Sequence, residues 1–126
     1  MAWHLVQSRQ VQVNEGDGPV NTHMQVQLGD TLIFYAWGSI WAGVWWTGTN
    51  GPRGWDWLDN NNKFKLPGSH PYCLLGLLDT GYFYIGDHVR LDETADQGTL
   101  FLEINDDVHG NGNGAFQCQV QQYRND

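Results

Sequence analysis

Thr99-Leu100-Phe101-Leu102-Glu103-Ile104, then Asn105-Asp106-Asp107-Val108-His109-Gly110-Asn111-Gly112-Asn113-Gly114, then Ala115-Phe116-Gln117-Cys118-Gln119-Val120: the reading of this stretch decides the fold. Its first segment is β-branched and apolar, and its last alternates apolar with polar residues, as half-buried strands do. The segment between offers a core almost nothing. Its carboxylates and amides are hard oxygen donors, and its glycines let backbone carbonyls turn inward. Calcium takes about six to eight such oxygens at flexible geometry. Asn, Asp and Gly are equally the residues of an ordinary turn, and spacing alone favours that plainer reading.

Outward from this stretch the chain keeps the same rhythm. Leu5 to Val13 alternates until the polar cluster Asn14-Glu15-Gly16-Asp17-Gly18-Pro19 ends it, and His23 to Leu28 alternates again. Gly29-Asp30 turns into the apolar run Thr31 to Trp37, which reads as a buried strand. Tyr72 to Leu78, Tyr82 to Ile85 and His88 to Leu91 are further short strands, separated by Asp79-Thr80-Gly81 and Gly86-Asp87. About eight strands at turn-separated spacing predict an all-β antiparallel β-sandwich. With no repeat and no linker, residues 1–126 read as one domain.

One segment breaks the pattern. Gly38 to Leu66 holds Trp41, Trp45, Trp46, Trp55 and Trp57 among Gly, Thr, Asn and Asp residues, with Asp59-Asn60-Asn61-Asn62 in its middle. A loop this long inside a compact domain tends to be functional. Loops lie on the surface, so not all of these indoles can be core residues. Exposed indoles beside hydrogen-bonding side chains suit a ring-shaped ligand with apolar faces, such as a pyranose. The alternative is a small core beneath the loop, which should claim most of them.

Charge narrows the partners. Six Lys plus Arg against 14 Asp plus Glu leave a net charge of −8. Nucleic acid is therefore not expected, since phosphate contacts need Lys and Arg in number. An acidic surface fits a neutral or cationic ligand, or a metal. No apolar stretch approaches a membrane span and no signal-peptide pattern opens the chain, so the expectation is cytoplasmic, or exported by another route. Cys73 and Cys118 sit in apolar strand patterns and read as buried free thiols. His109 beside Asp106 and Asp107 could be drawn as an acid–base group. Neighbours on a flexible loop rarely hold that geometry, and no Ser- or Cys-centred motif appears. His109 reads as a solvated loop residue in reach of ligand, and the chain as non-catalytic.

An ordered set of landmarks carries a resemblance across essentially the whole chain. They are Met1-Ala2-Trp3, Gly29-Asp30-Thr31-Leu32, Ala36-Trp37-Gly38, Gly51-Pro52-Arg53-Gly54, Leu66-Pro67-Gly68, Leu74-Leu75-Gly76-Leu77 and Phe83-Tyr84-Ile85-Gly86. Ile104-Asn105-Asp106-Asp107 through Gly114-Ala115-Phe116 completes the set. In this order they resemble the LecA-type family of bacterial galactophilic lectins and related small sugar-binding domains. The resemblance implies a jelly-roll-like sandwich with a calcium ion at one end, bridging protein and two adjacent hydroxyls of galactose. Carried over by position, Asp106 looks like the carboxylate ligand, Val108 and Ala42 like carbonyl ligands, and Asn111 like an amide ligand that also touches sugar. Sugar contacts then extend to Trp55, Asp56, Asp107, His109 and Asn113, and family members are commonly homo-oligomers. Two departures stand out. Where the family has an Asn or Asp pair before Ser-Gly, this chain has Asn111-Gly112-Asn113-Gly114, so Gly112 falls where a side-chain oxygen is usual. The family's His and Gln for the exocyclic hydroxyl have no clear match, with Trp55, Asp56 or His70 as the nearest candidates.

Three functions therefore compete. The first is a calcium-dependent, galactoside-preferring lectin. The second binds glycans without metal, with Asp106, Asn111 and Asn113 bonding sugar directly and Trp55 or Trp57 stacking on it. The third is an assembly protein whose tryptophans form a subunit interface.

Overall fold

The longest unbroken pairing joins two strands far apart in sequence. In the computed structural model, which describes residues 2–56 and 64–126, β3 (Thr31–Trp41) lies antiparallel to β8 (Asn113–Asn125). Their register runs without a shift from Thr31↔Tyr123 to Trp41↔Asn113. The remaining strands are β1 (Trp3–Asn14), β2 (Val20–Val26), β4 (Leu74–Leu78), β5 (Gly81–Tyr84), β6 (His88–Leu91) and β7 (Gly98–Ile104). They form two four-stranded sheets, ordered β1-β8-β3-β6 and β2-β7-β4-β5, with antiparallel neighbours throughout. The expected all-β sandwich is the fold found.

Alternation explains the packing. Leu32, Phe34, Ala36 and Ile40 of β3 and Phe116, Cys118 and Val120 of β8 face inward, as period-two side chains must. Met24, Val26, Leu74, Leu78, Leu100, Leu102 and Ile104 of the other sheet meet them, giving one hydrophobic core. Cys73 and Cys118 are buried free thiols; burial pushes the Cys118 thiol up to about 12 and the Cys73 thiol to about 11, which makes both poor nucleophiles.

Several strand boundaries differ from the sequence reading, each for a pairing reason. β3 continues past Trp37 to Trp41 because Ser39, Ile40 and Trp41 pair with Ala115, Gly114 and Asn113. Asn113 and Gly114, read as loop, are thereby strand residues. β8 runs on beyond Val120 through Gln121-Gln122-Tyr123 because β1 and β3 flank it on both sides. β2 starts at Val20, and its ladder with β7 is irregular between Asn21 and Gln25, where His23 takes φ 61°.

The pole where β2 turns into β3 is locked by a paired charge. Asp30, 1% exposed, accepts from Arg124 Nε (2.8 Å) and Nη2 (2.9 Å), Gln122 Nε2 (2.7 Å) and the Gln27 N–H (2.9 Å). Burial alone would raise its carboxyl pKa, but the hydrogen bonds from Arg124, Gln27 and Gln122 outweigh that and lower it. Asp30→Ala strands Arg124 and Gln122 and should cost about 3–5 kcal/mol in denaturant unfolding at pH 7. Because the native pKa lies below the ordinary 3.8, the contribution is complete above that value and fades as pH falls through the native one. The gap between wild type and variant should therefore close on acidification, and a gap that stays constant would refute the assignment.

Candidate functional site

The opposite pole, where β3 ends and β8 begins, gathers most of the residues singled out in the sequence. Immediately beyond the last β3–β8 pair stand Ala42 and Gly43 on one side and Gly112 and Asn111 on the other. Past the end of β7 follow Asn105 and Asp106, the latter bonded to the Val108 N–H. Asn105, fully buried, fastens the long Trp-rich segment to this end. Its backbone exchanges hydrogen bonds with Tyr72 (2.7 Å) and Cys73 (2.9 Å), its Oδ1 accepts from the Leu66 N–H (3.1 Å), and its Nδ2 donates to the His70 carbonyl (3.0 Å). The acidic loop and the Trp-rich segment thus meet.

Asp106 points inward and Asp107 outward. Asp106 is 2% exposed; its Oδ1 accepts from the Val108 N–H (3.2 Å), while its Oδ2 is buried and accepts no hydrogen bond. Burial, with the Asp107 carboxyl beside it, pushes the Asp106 carboxyl up to about 6, against the Val108 N–H and His109, which pull it down. A carboxylate so placed is short of positive partners. One terminal atom of the Asn111 carboxamide lies 2.7 Å from the Ala42 carbonyl oxygen and 3.0 Å from that of Val108. A nitrogen there donates to both carbonyls. An oxygen there makes three oxygens converge, an arrangement that needs a cation between them.

Close packing fixes this geometry. A Cβ on Gly43, which has φ 88°, would fall 2.5 Å from the Asn111 Cγ, so only glycine lets the amide lie flat against the chain. A Cβ on Gly112 would overlap the Trp41 carbonyl oxygen and lie 2.7 Å from the Gly43 nitrogen. The missing side-chain oxygen at Gly112 therefore cannot be restored by substitution, because the backbones meet where it would stand. Among the described residues no three His, Cys, Asp or Glu side chains form a metal cluster. Carbonyls, an amide and one carboxylate make up the donor set instead, which suits a hard cation such as calcium and not zinc.

His109 is a correction. Expected as a solvated residue near ligand, its side chain is 15% exposed and its Nε2 lies 3.1 Å from Glu103 Oε2. Glu103, itself buried, also accepts from the Tyr82 hydroxyl (2.6 Å). Burial and then Glu103 push the Tyr82 phenol up to about 12. The loop's histidine turns onto the β7 face because a buried carboxylate there needs donors.

The tryptophans divide differently from expectation as well. Trp55 is half-buried against the core and stacks on Tyr72 at 6.4 Å and 29°. The free indoles are Trp45 and Trp46, 81% and 62% exposed, on a turn closed by the Thr47 N–H and hydroxyl on the Val44 carbonyl. Only Val44 separates them from Gly43, so they belong to the Asn111 end of the molecule. Trp57 and the Asp59–Asn62 run lie outside the described residues. Asp56 and His70 line a cleft of about 370 Å³ with Arg53, Gly54 and Tyr84, and the His70 Nδ1 holds the Trp55 carbonyl at 2.9 Å. A larger cleft of about 540 Å³, lined by Trp3, Arg90 and Tyr123 among others, opens toward the far end of β8, away from these groups. Sequence reasoning passed over Glu15, whose carboxylate lies under the loop. Nothing in a Glu followed by Gly-Asp-Gly announces burial.

No protein-family model matches the chain, and no curated protein matches it. Among solved structures it is similar to one described as "EclA N-terminal domain; PllA-like lectin", with a TM-score of 0.70 and 20% identity over 94% of this chain and 97% of that one. At that identity the likeness establishes the shared β-sandwich.

The Asp106 environment makes a prediction that runs against ordinary expectation. A carboxyl whose native pKa lies above its unfolded value of 3.8 weakens the fold as pH rises from about 4 through 6. Asp106→Asn should therefore stabilise the metal-free protein at pH 7 by up to about 3 kcal/mol. The gain should shrink as pH falls and vanish only well below the unfolded value of 3.8, where both states of the wild type are protonated. Thermal unfolding of both chains across pH in the presence of chelator checks this; a variant less stable at pH 7 would refute it.

Proposed function

We propose that the chain is a carbohydrate-binding lectin, calcium-dependent and preferring galactose or galactosides, without catalytic activity. The observation that carries this reading is the meeting of the Ala42 and Val108 carbonyls with the Asn111 amide, in a loop where Asp106, bonded to the Val108 N–H, keeps a buried Oδ2 without a hydrogen bond. The lectin named in the structural comparison supports it, as does the ordered set of sequence landmarks.

The residues present fit calcium. Ala42 O, Val108 O, Asn111 Oδ1 and Asp106 would hold it. A bound calcium ion supplies open coordination positions at which sugar hydroxyls replace water. Asp106 and Asn111 would accept or donate hydrogen bonds to the same hydroxyls, with Asp107 and Asn113 at the rim. Asp56 and the His70 cleft offer polar contacts further along the sugar. Trp45 and Trp46 take over the stacking role first given to Trp55, because they are the exposed indoles on this end.

One site of this kind binds weakly, so several copies on a homo-oligomer would give useful avidity. Copies would meet on the outer face of the β1-β8-β3-β6 sheet. Trp3, Leu5, Tyr35 and Trp37 are 45–50% exposed there, between rows of Gln and Ser and without an acid at the outward positions of β1, β3 and β8. In a chain of net charge −8, a face on which β1, β8 and β3 present no acid, with Asp92 and Glu93 confined to its β6 edge, is where like-charged copies can approach. A wild type that sediments as a monomer would end that part of the reading.

The metal-free alternative has its own support. With its amide nitrogen toward Ala42 and Val108, Asn111 satisfies both carbonyls without any ion. A glycan array probed with and without chelator separates the two. The expected result is a galactoside signal that chelation removes and that Asp106→Ala lowers at least tenfold, with the sandwich still folded by circular dichroism. A signal indifferent to chelator favours direct binding, and silence on every glycan favours a protein-assembly role for Trp45 and Trp46.

A further inference from the structure

Glu15 follows β1 in what the sequence presents as a plain polar turn, yet it is only 1% exposed. Its Oε1 accepts from the Gly110 N–H at 2.6 Å, and its Oε1 and Oε2 accept from the Gly112 N–H at 3.2 and 2.9 Å. Its own N–H donates to the Gly114 carbonyl at 2.9 Å. The ion pairs found among the described residues do not include it. Burying a carboxylate without a cation is costly, and closing a turn does not require one, since a neutral amide oxygen also accepts an N–H.

The two N–H groups it draws in flank a single residue. Gly110 and Gly112 bracket Asn111, so fixing both peptide planes fixes the direction in which the Asn111 side chain leaves the loop. That side chain is the one lying on the Ala42 and Val108 carbonyls. Neither glycine carries a Cβ to keep the carboxylate away from the backbone, and Gly112 has no room for one. Glu15 also places a second negative charge beneath a donor set that otherwise contains one buried carboxylate, Asp106. Cation affinity at such sites rises with the negative charge around them.

We propose that Glu15 is the positioning residue of the cation loop: its carboxylate clamps Gly110 and Gly112 so that Asn111 faces Ala42 and Val108, and its charge strengthens the field on a bound cation. The proposal rests on the calcium reading above and names the element that regulates that site's affinity. Glu15 does not touch the ion.

The clamp and the ion are tested separately. Amide hydrogen exchange of the wild type in chelator should show Gly110 and Gly112 protected at least tenfold over the other loop amides. Exchange as fast as the rest of the loop overturns the clamp. Calcium titration by calorimetry should then show Glu15→Gln, of equal size but uncharged, binding roughly tenfold to a hundredfold more weakly, with sheet amides as well protected as in the wild type. Equal affinity in the two chains overturns the proposal. Should the Gln variant fail to fold, Glu15→Asp, which keeps the charge and shortens the reach, decides instead: affinity down about tenfold supports the clamp, and unchanged affinity overturns it. A wild type that binds no calcium would remove the functional reading and with it the ion-directed half of this proposal, even with Gly110 and Gly112 protected.

Discussion

The β3–β8 ladder is the constraint from which the rest follows. Eleven paired positions, Thr31↔Tyr123 through Trp41↔Asn113, leave no freedom in where the two strands end. One residue past that last pair, Gly112 comes so close to the backbones of Trp41 and Gly43 that a methyl group cannot be inserted. The ladder is built from ordinary apolar alternation, and its inward residues are core. Yet beyond its end one Asn111 amide atom lies within 3.0 Å of two carbonyl oxygens, those of Ala42 and Val108. A polar site on a rigid sheet end is set more exactly than one on free loops, because a ladder slip would turn every core residue outward.

The two poles of the sandwich treat negative charge in opposite ways. At one, Asp30 accepts from Arg124, Gln122 and a backbone N–H, and its charge is fully matched. At the other, Asp106 keeps a buried oxygen without a donor, and among the described residues Glu15 has only backbone N–H groups to answer it. Unmatched burial lowers stability, and folds retain it where function needs it. A hard cation is the group that would match both carboxylates, which is why the chemistry of this pole and the calcium reading point the same way.

The architecture was legible because alternation and turn residues are local signals. The runs at Thr31–Trp37, Tyr72–Leu78 and Thr99–Ile104 needed no tertiary information to be read as strands, although Tyr72 and Cys73 fall outside β4. Strand ends were not legible: Asn113 and Gly114 look like loop, and only their pairing with Trp41 and Ile40 makes them strand. The meeting of Ala42, Val108 and Asn111 could be anticipated only through an ordered resemblance, since a backbone carbonyl leaves no mark on its residue type. His109, Trp55 and Glu15 escaped for a shared reason. Each one's environment is set by a partner outside its own segment, namely Glu103, Tyr72 and the Gly110–Gly112 backbone. Trp45 and Trp46 were visible as residues, but their exposure depended on a turn at Val44–Thr47 that composition does not reveal.

The most direct measurement of the central claim is a crystal grown with calcium and galactose, with anomalous data to locate the ion. An anomalous peak about 2.3–2.6 Å from Ala42 O, Val108 O, Asn111 Oδ1 and an Asp106 carboxylate oxygen, with two sugar hydroxyls completing the shell, is the predicted result. Density that shows no ion there, with the Asn111 nitrogen donating to both carbonyls and the sugar absent or bound elsewhere, would contradict it.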